Sequence, residues 1–384
     1  MGNKERQSNY ELLRIISMFL IVMAHCSTYF GLTEKYSATL GINKIILDFF
    51  HVGGNLGVAS FILISGYFMV DQTTNLKRIL KLWGQVFFYT VSIWAIWVIV
   101  KAIQGGLNYK IIAKQGLFAF FPVLTRHYWY VTAFVIVMLL SPFLNKIIQS
   151  LSQRAYSRLL AILIIIFVVI IGGIPKLLTD MVGGRLVAMI VVYFIAGYIK
   201  RFRTEKKNNA GKHLLVAFLS FIVLFAGTYL ITYVGVKTNN AFLLKNIYFY
   251  RPFISPIVII GSVSLFLGFT ELNIKHSKFI NVVASCTFGV FLLHSNNIIA
   301  PLISKLFPIY KETNSGLIFV YTLGAICVIY IVCTLIDLLR QLTVEKLWFS
   351  FLNKHLDSIQ AKVMRVIRKI AGGVKKIGRA YYGE

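Results

Sequence analysis

Two residues in the first apolar stretch, ELLRIISMFLIVMAHC, are of types that do chemistry and are out of place in lipid: Arg14 and His25. They stand eleven positions apart. At 100° per residue a helix returns over that interval to within about 20° of the same face, about 16 Å further along its axis. Glu11 lies one turn before Arg14 and can pair with it. Ionisable groups inside membrane spans are costly and mark functional positions by default. Arg14 alone could snorkel to headgroups, and His25 could bond a neighbouring helix. The second account fits less well, because His25 lies well inside the span. A neutral imidazole there can take a proton from a hydroxyl, the task of a general base.

Three further segments carry polar groups where apolar ones are expected. In GGNLGVASFILISGYF (53–68), Gly53, Gly57 and Gly66 permit close helix approach; Ser65, Gly66 and Tyr67 could break the helix, but tight packing alone is the favoured reading. Just beyond it, Lys77, Arg78 and Lys81 suit a phosphate as well as they suit lipid headgroups. RHYWYVTAFVIVMLLSPFLN (126–145) opens with His127, Tyr128, Trp129 and Tyr130, which could be interfacial belt aromatics. In TFGVFLLHSNN (287–297), His294, Asn296 and Asn297 could hold helices together by hydrogen bonds. There is no Walker loop, dinucleotide fingerprint, His-Glu-x-x-His or Gly-x-Ser-x-Gly.

The elements that must position these groups are apolar helices. Of 384 residues 58% are hydrophobic and 14% charged, against about 25% charged in a soluble domain. Continuous apolar runs such as 159–171 exclude the alternating pattern of an outer-membrane barrel. The expected fold is all-α: a polytopic transmembrane bundle of ten spans near 11–30, 55–71, 83–103, 128–148, 158–174, 185–200, 213–234, 252–270, 280–301 and 316–339. The stretches 31–54 and 104–127 read as long loops on one side. Residues 1–340 form the membrane domain. Residues 341–384 form a basic amphipathic tail, with Trp348, Leu352, Leu356, Ile359, Val363, Ile367 and Ile370 on one face as an inner-leaflet anchor.

The formal net charge of +27 points to cytoplasmic loops facing anionic lipid, not to nucleic acid. The loop KRFRTEKKNNAGK (200–212) and the tail set the orientation: both termini cytoplasmic, in a multi-pass cell-membrane protein. Cys26, Cys286, Cys327 and Cys333 all sit in apolar segments and read as core residues. The first stretch has no Ala-x-Ala site and reads as a retained span.

Taken together, these segments resemble the acyltransferase-3 family. Arg14 and His25 are similar to its Arg-x10-His signature. FILISGY (61–67) resembles its FF-x-x-SGY segment, YWYVTAFVIVMLLSP (128–142) its aromatic H-x-WYL…P span, and TFGVFLLH (287–294) its TFGIYLIH segment. The resemblance covers residues 10 to about 340. It implies a membrane-bound O-acyltransferase that moves an acyl group, usually acetyl, from cytoplasmic acyl-CoA to a hydroxyl of an extracytoplasmic or lipid-linked glycan. Acetyl-CoA is then a donor substrate, and no cofactor is permanently bound. His25 is implied as base or acyl relay and Arg14 as holding the CoA arm. Lys77, Arg78 and Lys81 would meet the CoA phosphates, and Trp129, Tyr130 and His294 the acceptor. The family's Arg-x-x-Arg element becomes Arg78-x-x-Lys81 here, and Lys lacks the bidentate fork of Arg. With only a tail after the spans, the membrane domain is expected to complete transfer itself or hand over to a separate protein. A flippase or secondary transporter would use the same bundle, with its charges lining a path; a non-catalytic assembly partner for a glycan synthase is a third reading. Acyl-CoA turnover separates the enzyme from both.

Overall fold

The computed structural model describes residues 6–72, 76–106, 108–125, 127–173, 182–203 and 209–356, together with 358, 359, 361, 362 and 365. Among them the chain is mostly helical and forms no strand. Seven helices are long and apolar enough to cross a bilayer: Ser8–Tyr29, Ile42–Met69, Leu76–Ile103, Trp129–Ser150, Gln153–Ile171, Ala210–Lys237 and Ser315–Leu342. The other three expected spans fall on Val182–Phe202, on the 16-residue helix Pro256–Glu271, and on a pair, Lys278–His294 and Ile299–Lys311, bent by 87°. Large apolar side chains such as Ile96, Ile99, Ile162, Ile165, Phe218 and Leu219 point outward. In water that would be a liability; in lipid it is the expected belt.

The first helix, Ser8–Tyr29, is the hub. It packs against Ile42–His51, Gly54–Met69, Pro256–Glu271, both arms of the bent pair and Ser315–Leu342. Small residues make this possible. A Cβ at Gly57 would collide with the Ser17 carbonyl oxygen, and one at Gly54 with the Ala24 Cβ, so the two backbones meet at the helix–helix seam. Gly66 plays the same part against Ala196 of Val182–Phe202.

At Ser65–Gly66–Tyr67 the tight-packing reading holds, and the helix does not break. It runs unbroken from Gly54 to Met69, with the Val70 amide bonded to the Gly66 carbonyl at 3.1 Å and the Ser65 hydroxyl to the Phe61 carbonyl at 2.9 Å. The interruption lies instead at Val52–Gly53. The stretch 31–54 is accordingly not an open loop: it holds the helices Leu32–Tyr36 and Ile42–His51. The second of these buries Ile46, Leu47 and Phe50 against the bundle, so its apolar face is what pulls it in. Likewise 104–127 contains the helix Tyr109–Phe120, capped by the Asn108 side chain, which accepts from the Ile111 amide at 3.2 Å.

Both ends of the bundle can be traced by contacts. At one end, Asn9 donates to the Phe269 carbonyl at 3.0 Å, and the Ser8 hydroxyl bonds the Asn281 side chain at 3.2 Å. Gln341 approaches Cys286 at 3.4 Å, Lys81 meets Glu345 at 2.9 Å, and Arg203 pairs with Glu271. The basic segments therefore gather at the end where the first helix begins. At the opposite end, the Phe30 carbonyl accepts from the Tyr310 amide at 3.1 Å, and the Arg251 guanidinium reaches the His51 carbonyl at 3.1 Å.

Residues 344–356 of the tail are helical, and they pack on protein as well as facing outward. Leu352 is fully buried, and the Trp348 indole fills the space a side chain at Gly84 would need. Val363, Ile367 and Ile370 of the expected stripe lie outside the described residues. Cys26, Cys286 and Cys333 are buried and Cys327 half-buried, all as free thiols.

Candidate functional site

Near the outgoing end of the first helix the bundle encloses a cavity of about 560 Å³, within the usual range for small-molecule sites. His25, His51, Asn55, Trp129, Arg185, Tyr248 and Arg251 supply its chemistry, and none of the described residues lining it is acidic.

His25 reaches this wall because the first helix runs unbroken from Ser8 to Tyr29, so the spacing argument for Arg14 and His25 applies without correction. Behind it stands His294, the last residue of Thr287–His294 and fully buried at the 87° bend. The two rings meet with His25 Nδ1 2.9 Å from His294 Nε2. His294 Nδ1 lies 2.6 Å from the Val290 carbonyl. A carbonyl oxygen only accepts, so His294 Nδ1 carries the proton and its Nε2 offers a lone pair. The network thereby assigns the proton on His25 to Nδ1, which donates to His294. His25 Nε2 is left as an acceptor that makes no hydrogen bond among the described residues. A buried neighbour thus selects one tautomer and one orientation of the ring at the cavity wall.

The bend that places His294 is itself braced. The Asn296 side chain donates to the Tyr128 hydroxyl at 2.9 Å, and that hydroxyl donates to the Leu292 carbonyl at 2.7 Å. The Asn296 side-chain oxygen caps the next turn through the Ile298 amide at 2.9 Å. These bonds satisfy backbone groups that the break would otherwise orphan within the membrane.

His51 has a comparable arrangement. The Ser27 hydroxyl donates to the Ala24 carbonyl at 2.8 Å and lies 2.8 Å from His51 Nδ1, which then donates to it. Behind this wall, Lys44 and Asp48 form a fully buried pair, with the ammonium 2.5 and 2.6 Å from the two carboxylate oxygens. Arg251 lies over the Tyr248 ring at 4.2 Å, and its carbonyl accepts from the Asn55 side chain at 2.6 Å. Arg185 lies over Trp129 at 4.9 Å, and Trp129 in turn stacks on Phe253 with centroids 5.8 Å apart.

The residues singled out in the sequence divide into three groups. His25 and Trp129 line the cavity, whereas His294 sits behind His25, outside the lining. Tyr130 is buried and stacks on Phe134 at 5.9 Å, so it too lies behind the wall. Arg14 is half-buried toward the other end. Its Glu11 partner is 3.9 Å away, and its Nε has no hydrogen-bond partner. Lys77, Arg78 and Lys81 open the helix Leu76–Ile103 at the basic end of the bundle. Arg78 bonds the Gln72 side chain. Lys81 pairs with Glu345 at 2.9 Å and borders a second hollow of about 450 Å³ with Trp83, Gly84, Arg340 and Trp348. There Arg340 bridges Glu345 at 2.8 Å and Asp337 at 2.8 Å, and the Tyr89 hydroxyl donates to Asp337 at 2.7 Å. Burial pushes the Glu345 carboxyl up, but Lys81 and Arg340 outweigh it and hold it below the usual carboxylate range.

His51, Asn55, Arg185, Tyr248 and Arg251 were not anticipated. Arg251 hides in YFYRP, which reads as an interfacial aromatic segment, and His51 in FFHVGG, which reads as a loop end. Lys44 and Asp48 did carry a signal, an i,i+4 pair of opposite charge inside an apolar decade.

No curated protein and no solved structure matches the chain. The acyltransferase-3 family model, described as an acyltransferase domain, matches residues 7–337. That range takes in the first helix with Arg14 and His25, every residue lining the cavity, and the bend at His294, and the chain accordingly belongs to the acyltransferase-3 family of membrane acyltransferases.

Proposed function

We propose that this protein is an O-acetyltransferase of the cell membrane, with its basic end and both termini in the cytoplasm. It takes acetyl from acetyl-CoA at that end and passes it to a hydroxyl of an extracytoplasmic or lipid-linked glycan held in the 560 Å³ cavity. The observation that carries this reading is the His25–His294 pair at 2.9 Å, which leaves His25 Nε2 unprotonated at the cavity wall.

The reaction follows from that nitrogen. The acceptor hydroxyl gives its proton to His25 Nε2 as its oxygen attacks the thioester carbonyl. The C–S bond breaks, and the leaving thiolate recovers the proton from the imidazolium, giving an acetyl ester and free CoA. While His25 is cationic, His294 continues to accept from Nδ1, so the ring does not turn during transfer. Trp129 and Tyr248 also line this cavity and would contact the acceptor.

Arg14 lies about 16 Å from His25 along the helix, a length comparable with an extended pantetheine arm. With its Nε unpartnered, Arg14 is poised to hold that arm, and Lys77, Arg78 and Lys81 the CoA phosphates beyond it. The test is turnover of acetyl-CoA by purified protein with a glycan acceptor. His25→Ala should lower it by about 10²–10⁴-fold in protein that still inserts and elutes as wild type. Near-normal transfer by that variant would remove His25 from the chemistry.

A further inference from the structure

Among the described residues, Arg251 is a buried charge with no carboxylate of its own. It is 5% exposed, and one of its nitrogens donates to the His51 carbonyl at 3.1 Å. Its Nε and Nη1 are buried without hydrogen-bond partners. The nearby carboxylate is Asp48, and both of its oxygens are already held by Lys44 at 2.5 and 2.6 Å. That pair is neutral as a unit, so among the described residues the guanidinium has the Tyr248 ring at 4.2 Å but no carboxylate of its own. Among the described residues no carboxylate pairs with Arg251 or with Arg185, and none lines the cavity they share. Arg185 sits exposed on Trp129, 4.9 Å from its ring.

A buried cation with open donors is costly unless something supplies the counter-charge. Here Arg251 lines a cavity large enough for a sugar, and His25 lines the same cavity. A guanidinium presents its N–H groups in a planar fork that matches the oxygens of a carboxylate or a phosphate.

We infer that the acceptor is an anionic glycan, whose oxyanion, on or beside the acylated sugar, is bound by Arg251 with Arg185 at the side. This inference rests on the transfer reaction proposed above and narrows its acceptor. It also gives Trp129 and Tyr248 a consistent role: their rings hold the two guanidinium groups at the cavity wall, with Arg185 over Trp129 at 4.9 Å and Arg251 over Tyr248 at 4.2 Å. A neutral glycan would fill the same space and leave the Arg251 donors unpaired, which is how the cavity rejects it.

The experiment measures binding and turnover separately, on full-length protein in phosphatidylcholine nanodiscs. Three probes are compared: a glucuronate-containing disaccharide, its carboxyl-reduced twin, and a short-chain polyprenyl diphosphate sugar. At least one anionic probe should bind about 10–100-fold more tightly than the neutral twin, the range expected for charge-assisted bonds. Preference for glucuronate places the anion on the polymer, and preference for the diphosphate places it on the lipid carrier. Arg251→Gln should cut the preference about tenfold or more. Arg185→Gln, at an exposed position where folding is not at risk, should reduce it severalfold. Equal binding of all three probes, or a preference unchanged in both variants, overturns the inference. So does anionic lipid binding in place of every glycan. Acetyl-CoA turnover in the same nanodiscs reads the transfer reaction itself. Selective anion binding without any turnover would refute that reaction and leave the binding assignment standing.

Discussion

Replacing His294 by phenylalanine separates two roles that the sequence left joined. If His294 touches the acceptor, its loss should raise KM for the glycan. If it holds His25, its loss should lower kcat. The structure sets the scale. His294 is fully buried, so phenylalanine keeps a planar ring there, somewhat larger than the imidazole, while removing the acceptor that lies 2.9 Å from His25 Nδ1. A hydrogen bond of this kind contributes about 0.5–1.5 kcal/mol net, which alone changes the share of correctly placed Nδ1–H imidazole by roughly 2–13-fold. An unpaired buried N–H then costs about 1–3 kcal/mol, and the ring relieves it by turning or changing tautomer, either of which removes Nε2 from the acceptor. The combined fall in kcat should be about 10–10³-fold, below the ceiling of about 10⁴-fold for losing the base itself. His294→Gln retains a carbonyl acceptor and should fall between wild type and His294→Phe. The assay is CoA thiol release against glycan concentration, with membrane insertion checked by size-exclusion elution. Wild-type kcat in His294→Phe, or a KM increase with kcat intact, would refute the positioning argument and return His294 to the substrate.

Other parts of the reading can be checked as directly. Arg78→Ala should raise KM for acetyl-CoA about 10–100-fold, and less for acetyl-dephospho-CoA if Arg78 meets the 3′-phosphate; unchanged KM for both donors would exclude this end of the helix from the donor site. Single cysteines at 110 and 212, in a background lacking the four native thiols, should be labelled in intact cells by an impermeant reagent at 110 and not at 212, and the opposite pattern would invert the orientation. Asp48→Asn leaves Lys44 buried beside a neutral amide, and should cost about 3–5 kcal/mol, seen as a lower Tm in detergent; the double change Lys44→Met with Asp48→Leu should recover much of it, and an unshifted Tm in Asp48→Asn would mean the pair is hydrated.

What the sequence made legible follows the range of the forces involved. Arg14 and His25 could be placed on one face because an unbroken helix of known pitch links them, and Ser8–Tyr29 is such a helix. The bundle was legible because lipid demands long apolar helices. The partner of His25 was not, because 269 residues separate it from His294. No periodicity reaches that far. What could be read was only that HSNN interrupts an apolar run, and in the structure that interruption is the 87° bend, with His294 at its edge and Asn296 bracing it. Ser65–Tyr67, where either a break or close packing could be read, shows the converse. Glycine signals either a turn or a close approach, and at Gly66 the neighbouring Ala196 uses the missing side chain, so the helix continues. Arg251 failed to register for a similar reason. Beside YFY and Pro252 it has the composition of a headgroup anchor, and only the capture of Asp48 by Lys44, on a different helix, reveals that its charge has no partner within the cavity wall. The polar groups that matter in this bundle are recognised by which hydrogen bonds remain unmade, and His25 Nε2 and the Arg251 guanidinium border the same cavity. With His25 as the proposed base and Arg251 as the proposed anion site, the acceptor is constrained more tightly than by either alone: its hydroxyl would lie at His25 while its charge lies at Arg251.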